Sequence, residues 1–380
     1  MKIAIIGAGI GGLTTAIALQ QKGFDVKIFE SASEIRPVGA GIVLAANAMK
    51  GLQILGLQEE IMAKGHIVDT FSIVDEKLNT LSEVYAKRFF ERYGIGNFTI
   101  ARYDLHHILA NKLKPETLFL GKQVIDFEQD EKSCSVTFID GSTEICDAII
   151  ATDGINSKIR QKLLPNAQKR YAGYTCWRAI TDVRDIDCDF KKAFECWGAK
   201  GRFGFVPISD THIYWFLCVN TSEQNEDFKR LKAQDLQERF KQYAFPIPQV
   251  LGATKDENIL LNDIVDLKPI KQFAFGKVLL AGDAAHATTP NMGQGACQAI
   301  EDAMILRKYI SNVKPIESVF TDFEANRLPR TTEVVNRSWS IGKMAQLENP
   351  TLIKLRNLIV RYTPESLSEK QYKFLYEVEY

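Results

Sequence analysis

The chain has 380 residues, enough for two domains at roughly 150 residues each and for a large buried core. Its 47 basic and 47 acidic residues cancel, which removes the electrostatic footprint of a general nucleic-acid binder. An apolar share of 46% with 25% charged residues excludes wholesale disorder, and without a run of ~20 apolar residues no membrane partner is expected.

In chain order, Ile3-Ala4-Ile5-Ile6 reads as a strand buried on both faces, and 7–12 as a tight glycine turn. The uncharged stretch 3–19 imitates a secretory leader. Gly7, Gly9, Gly11 and Gly12 interrupt it after four apolar residues, so it is assigned to the fold. A helix over 13–22 stops at Gly23, and a second strand over 26–29 ends at Glu30, which makes one βαβ unit. A glycine-rich loop (36–42), a helix (45–55), strands and polar turns (69–98), a helix (103–113), a hairpin (123–138) and a buried strand (147–151) follow. Between about 171 and 268 aromatics and turns dominate, with strands at 175–183, 203–207 and 213–219 and one helix at about 232–243. A buried strand at 277–281 and helices at 294–309, 316–345 and 351–360 complete the chain.

This order of elements predicts an α/β fold: a Rossmann-like nucleotide-binding domain (1–68, 99–170, 269–340) interrupted by a sheet-rich substrate domain (69–98, 171–268). Residues 341–380 form a C-terminal helical segment. The seven cysteines are odd in number, widely spaced and without a CxxC pair. That pattern fits reduced thiols in a cytoplasmic protein and predicts no metal site.

Three turns carry chemistry. Gly7-Ala8-Gly9-Ile10-Gly11-Gly12 matches GxGxxG. Gly7 allows the turn, Gly9 lets a pyrophosphate approach the backbone, and Gly12 lets helix and strand pack closely. The phosphates would meet the unpaired N–H groups of the helix N-terminus. Glu30, 21 residues after Gly9, can accept hydrogen bonds from both ribose hydroxyls of an adenosine. This unit alone does not separate NAD from FAD. Asp153-Gly154 and Gly282-Asp283 each place a carboxylate at the carboxyl end of a buried strand, where open α/β sheets bind ligands.

These motifs occur in the order, and with the 290–295 loop, that make the chain resemble the group A flavoprotein monooxygenases, the para-hydroxybenzoate hydroxylase-like class, to about residue 345. Residues 282–295 look most like those of flavin-dependent urate hydroxylases, salicylate-type hydroxylases and zeaxanthin epoxidases. The resemblance implies a FAD-binding domain of the GR2 type. Glu30 would hold the adenosine ribose, Val124 would contact adenine through its backbone, and Asp153 would lie near the pyrophosphate. Arg102 matches an arginine near the ribityl–pyrophosphate stretch, and Arg36 a basic position before the loop containing Gly41. Asp283 would hold a ribityl hydroxyl, and the N–H groups of Gly293, Gly295 and Ala296 would face the flavin pyrimidine edge.

The implied reaction is hydroxylation of an aromatic or heteroaromatic small molecule through a flavin C4a-hydroperoxide. O2 is consumed, and NAD(P)H binds transiently without a domain of its own. Arg202 and Tyr214 fall where urate hydroxylases carry an Arg and a Tyr at the substrate, and are the catalytic candidates. Phe203, Pro290 and Asn291 join them as substrate-binding candidates. Asn291 stands where the urate enzymes carry Asp and epoxidase-like members Asn, which points away from urate. Epoxidation of an alkene and a FAD-bound sensor without turnover are the alternatives; a halogenase lacks its WxWxIP signature here. His286 is read as a packed or capping residue, His106-His107 as a helix-face pair, and the amphipathic 352–362 segment as docked on the body of the protein.

Overall fold

The computed structural model describes residues 1–35, 40–94, 96 and 98–380. Ile3, Ile5, Ile149 and Leu279 have no exposed surface, as strands covered on both faces require. They belong to a six-stranded sheet in the order Ala274–Phe275, Val278–Leu280, Ala148–Ala151, Lys2–Ile6, Asp25–Phe29, Leu118–Phe119, parallel except at its first pair. The Ile10–Gln21 helix connects two adjacent parallel strands and packs on the Gly295–Tyr309 helix. The fold is therefore the Rossmann-like α/β cofactor-binding type with a sheet-rich insertion and C-terminal helices.

The inserted sheet has seven strands, ordered Leu260–Leu267, Lys169–Asp182, His212–Asn220, Gly201–Pro207, Lys192–Gly198, Thr70–Val74, Thr80–Tyr85. One face buries Trp177, Phe203, Trp215 and Leu217 against Leu236, Phe240, Val250 and Leu251. The other face looks toward the cofactor sheet.

Several elements differ from the sequence reading. Residues Ala86–Tyr93 are a helix, not part of a strand-and-turn region; Ala86, Lys87, Arg88 and Glu91 favour helix, and Gly94 closes it at φ 71°. The expected 232–243 helix spans Ala233–Arg239, and a further helix, Ile247–Ala253, follows Pro246 beyond the expected range. The Pro350–Arg361 helix does not dock its apolar stripe. It buries Ile353 and Arg356 and leaves Leu352, Leu355, Leu358 and Ile359 exposed. Arg356 donates to the carbonyls of Ala345 (3.1 Å) and Trp197 (2.8 Å), so capping buried acceptors sets which side faces inward. Among the described residues no helix is long and apolar enough to cross a membrane.

Candidate active site

The glycine turn is held by backbone contacts that leave no room for side chains. Gly7 has φ +99°, and a Cβ there would lie 2.5 Å from the Thr152 carbonyl. A Cβ on Gly12 would lie 2.0 Å from the Gly7 carbonyl, and one on Gly11 3.0 Å from Ala299 Cβ. Gly9 differs: nothing lies within 4 Å of its Cβ position. It precedes a helix whose first N–H groups have no side-chain cap, the arrangement that receives a phosphate. His106, half-buried, bonds the Ala8 carbonyl at 2.6 Å, so it braces this turn instead of merely lying on a helix face.

Glu30 bounds one end of the site. Its Oε2 accepts from the Ala8 N–H (2.8 Å), and Oε1 from the Ala32 N–H (2.9 Å) and the Ser31 hydroxyl (3.0 Å). A carboxylate offers about four acceptor positions, so one remains for a ribose hydroxyl in this arrangement, fewer than the two expected. Glu30, Val124, Gly7 and Asp153 line a cavity of about 360 Å³. Asp153 Oδ2 accepts from the Lys158 N–H (2.8 Å), but Oδ1 is buried without a partner. Burial raises this carboxyl above the usual range.

A second cavity, about 380 Å³, shares Gly9, Thr152 and Gly154 with the first, so the two form one groove. Gly11, Gly41, Arg102, Asp283, Gly293, Gly295 and Ala296 line its near part. Asp283 is exposed to this space rather than buried, because Gly282 turns at φ +56° beneath it. The turn is anchored by the Gly282 N–H donating to Asp302 Oδ2 (2.7 Å), which also takes His286 Nε2 (2.7 Å). His286 is thus the packed residue expected of it. Arg102 and Asp283 both line this part of the groove and are exposed to it. Arg36 lies outside the described residues.

The inserted sheet closes the far part. Alternation along its strands puts Arg202 and Val206, Tyr214, Phe216 and Cys218, and Cys176 and Arg178 on the groove face. Phe203 is therefore not at the site. It points the opposite way and stacks on Trp215 at 6.0 Å between ring centroids. Tyr214 packs directly on Gly41, where a Cβ would fall 2.4 Å from its own. Burial pushes its phenol well above the ordinary value, so it stays protonated. Pro290 lines the groove.

Arg202 is buried and engaged through three of its five N–H groups. It donates from Nη1 to Glu195 Oε1 (3.0 Å), from Nη2 to Asn291 Oδ1 (2.8 Å) and from Nε to Gln346 Oε1 (3.0 Å), with its guanidinium 5.3 Å from the Tyr174 ring. Asn291 also accepts from Tyr174 (3.0 Å) and donates to the Ser338 carbonyl (2.9 Å) and Thr289 (2.8 Å). Its polar atoms are spent on holding Arg202, so it positions that residue. Glu195, Tyr174, Arg178 and Gln346 were not singled out from the sequence. Arg178 had a local signal, a charged residue in the expected 175–183 strand beside Trp177.

The residues present fit a dinucleotide such as FAD. The groove runs from Glu30 past two uncapped helix starts to the sheet. Its walls carry two buried orphan oxygens, Asp153 Oδ1 and Thr288 Oγ1, and glycines at 9 and 293 whose Cβ positions are open. A family model described as "FAD binding domain" matches residues 1–338. The chain is 34% identical over 362 residues to the aurachin C monooxygenase/isomerase of Stigmatella aurantiaca, covering 95% of this chain and 94% of the relative. It is 29% identical over 378 residues to the 2-heptyl-3-hydroxy-4(1H)-quinolone synthase of Pseudomonas aeruginosa, with 99% and 98% covered. A crystal structure of a Klebsiella pneumoniae protein with FAD and uric acid matches at TM-score 0.90, with 27% identity and 99% and 96% covered. With its three cofactor turns and its groove in place, the chain belongs to the group A FAD-dependent aromatic monooxygenases.

Proposed function

We propose that this protein is an NAD(P)H- and O2-consuming hydroxylase of an aromatic or heteroaromatic small molecule. The observation that carries the reading is the single groove that starts at Glu30 and ends against Arg202 and Tyr214. Relatives named for a quinolone, and one crystallised with uric acid, support a ring substrate. When bound, the flavin supplies electron uptake from NAD(P)H and activation of O2 at its C4a carbon for transfer to an electron-rich ring carbon.

The chain's own residues do the rest. Glu30 and the first turn of the Ile10–Gln21 helix bind the adenosine and phosphate end. The start of the Gly295–Tyr309 helix presents N–H groups where negative charge on the reduced ring would be stabilised. Val206, Phe216 and Ile264 exclude water from the ring end. Arg202 Nη1 and Nη2 each keep one N–H beyond those given to Glu195 and Asn291, and these can orient a substrate oxygen. Tyr214 keeps its phenolic proton and can hold the ring by hydrogen bonding.

The test is NADH and NADPH oxidation stimulated by members of a phenol, purine, quinolone and alkene panel, with product identified. Ring hydroxylation is expected. Epoxide formation from an alkene alone, or bound flavin that neither nucleotide reduces, would overturn the reading. Arg202→Ala is expected to lower kcat at least about 100-fold while the protein stays yellow. Unchanged coupling in that variant would remove Arg202 from the mechanism.

A further inference from the structure

The ring end of the groove holds a cation whose charge is already balanced. Glu195 is 8% exposed and stands 3.0 Å from Arg202, itself 2% exposed. Among the described residues no other carboxylate bonds this arginine, and Asn291 cannot supply one. The Asn291 amide is fixed in orientation, since its Nδ2 must donate to the Ser338 carbonyl and its Oδ1 must accept from Arg202. Around the pair the sheet presents Cys176, Cys218, Phe216 and Val206, with the Tyr174 ring against the guanidinium. Two further cations line the groove: Arg178, one row along the sheet opposite Phe216 with Nη2 on Asn262 Oδ1 (2.8 Å), and Arg102, in the near part with Asp283.

An anion entering here would lose its hydration and meet a pair with no net charge. It would face Glu195 as well as Arg202. A neutral carbonyl or hydroxyl oxygen can take the spare Nη N–H groups at much lower desolvation cost. We propose that the site selects an uncharged aromatic or heteroaromatic ring bearing an acceptor oxygen, and that Glu195 sets this selectivity by cancelling the charge of Arg202. This rests on the hydroxylase reading above and names the substrate class for it.

The test uses the FAD-loaded enzyme and two probes of equal size that differ in one charge, salicylamide and salicylate. Binding is read from perturbation of the flavin absorbance. Wild type is expected to bind salicylamide at least about tenfold more tightly, and Glu195→Gln to erase or reverse that ratio. Equal or tighter binding of salicylate by wild type would overturn the proposal, whether or not the variant folds. So would an unchanged ratio in a folded Glu195→Gln, or the failure of both rings to perturb the flavin. NAD(P)H oxidation followed in the same samples separates the two claims. A preferred salicylamide without ring-stimulated oxidation of any panel compound defeats the hydroxylase reading and leaves the selectivity. A preferred salicylate with turnover defeats the selectivity alone.

Discussion

Gly12→Ala is expected to give protein that loses its flavin on purification. The added carbon would sit 2.0 Å from the Gly7 carbonyl and 2.7 Å from Thr152 Oγ1. Neither neighbour can yield cheaply. Gly7 N–H donates to the Phe29 carbonyl (2.8 Å), and the one Thr152 Oγ1 proton is shared between the carbonyls of Ile6 (2.9 Å) and Gly7 (3.0 Å). The Ile10–Gln21 helix must therefore lift from the sheet, at a cost of about 1–3 kcal/mol or more. The N–H groups at the start of that helix, proposed to bind the phosphates, move with it, and flavin affinity should fall. The ratio of flavin to protein absorbance measures this. Gly9→Ala is the control, since its Cβ meets no protein atom: it should fold normally and bind flavin more weakly. Wild-type flavin content in Gly12→Ala would mean that the turn does not set the phosphate site.

Arg327→Ala is expected to cost about 3–5 kcal/mol of stability, because it removes the guanidinium bonded to buried Asp302 and one of the two bonded to buried Glu301. Arg327 has no exposed surface and donates to Asp302 Oδ1 (2.6 Å), Glu301 Oε2 (2.6 Å) and Gln298. Arg330 adds two bonds to Glu301, at 2.6 and 2.7 Å. Since Asp302 also holds Gly282 and His286, the loss reaches the Asp283 turn, and flavin affinity should fall as well. Burial alone would raise the Asp302 carboxyl; the charges of His286 and Arg327 outweigh it and bring it down to about 2. A carboxyl depressed on folding stabilises above its unfolded value of about 4, and that contribution is lost as pH falls from there towards 2. Wild type should therefore lose about 2 kcal/mol over this window through Asp302, and Asp302→Asn should lack that component. Thermal melts from pH 6 to pH 2 give the comparison. Equal pH dependence in both would contradict the assigned pairing.

What the sequence made legible was local. The glycines at 7, 9 and 12, the acid at 30 and the Gly282-Asp283 turn act through their own backbone and next neighbours, so their spacing reveals their use. The long Ile316–Ala345 helix was equally plain from its periodicity. Contacts between distant segments were not. Glu195 and Arg202 meet because the Lys192–Gly198 strand lies beside Gly201–Pro207, and the first of these strands was not anticipated. Phe203 was placed at the site next to Arg202, although neighbours in a strand face opposite sides. The Glu301, Asp302 and Arg327 cluster looked like ordinary helix charge, because nothing in a helical pattern reveals that two helices bury their polar faces against each other. In the Pro350–Arg361 helix the pattern was right and its orientation wrong, since carbonyls left by Trp197 and Ala345 decided which side turned inward.

The most direct test of the account is titration of flavin-free protein with FAD and with FMN, followed by absorbance and calorimetry. One groove gripped at Glu30, at the Gly9 helix start and at the Gly293 loop predicts one FAD per chain, a yellow product, and FMN at least about 100-fold weaker for want of its adenosine half. Protein that stays colourless, or that takes FMN as tightly as FAD, would contradict it.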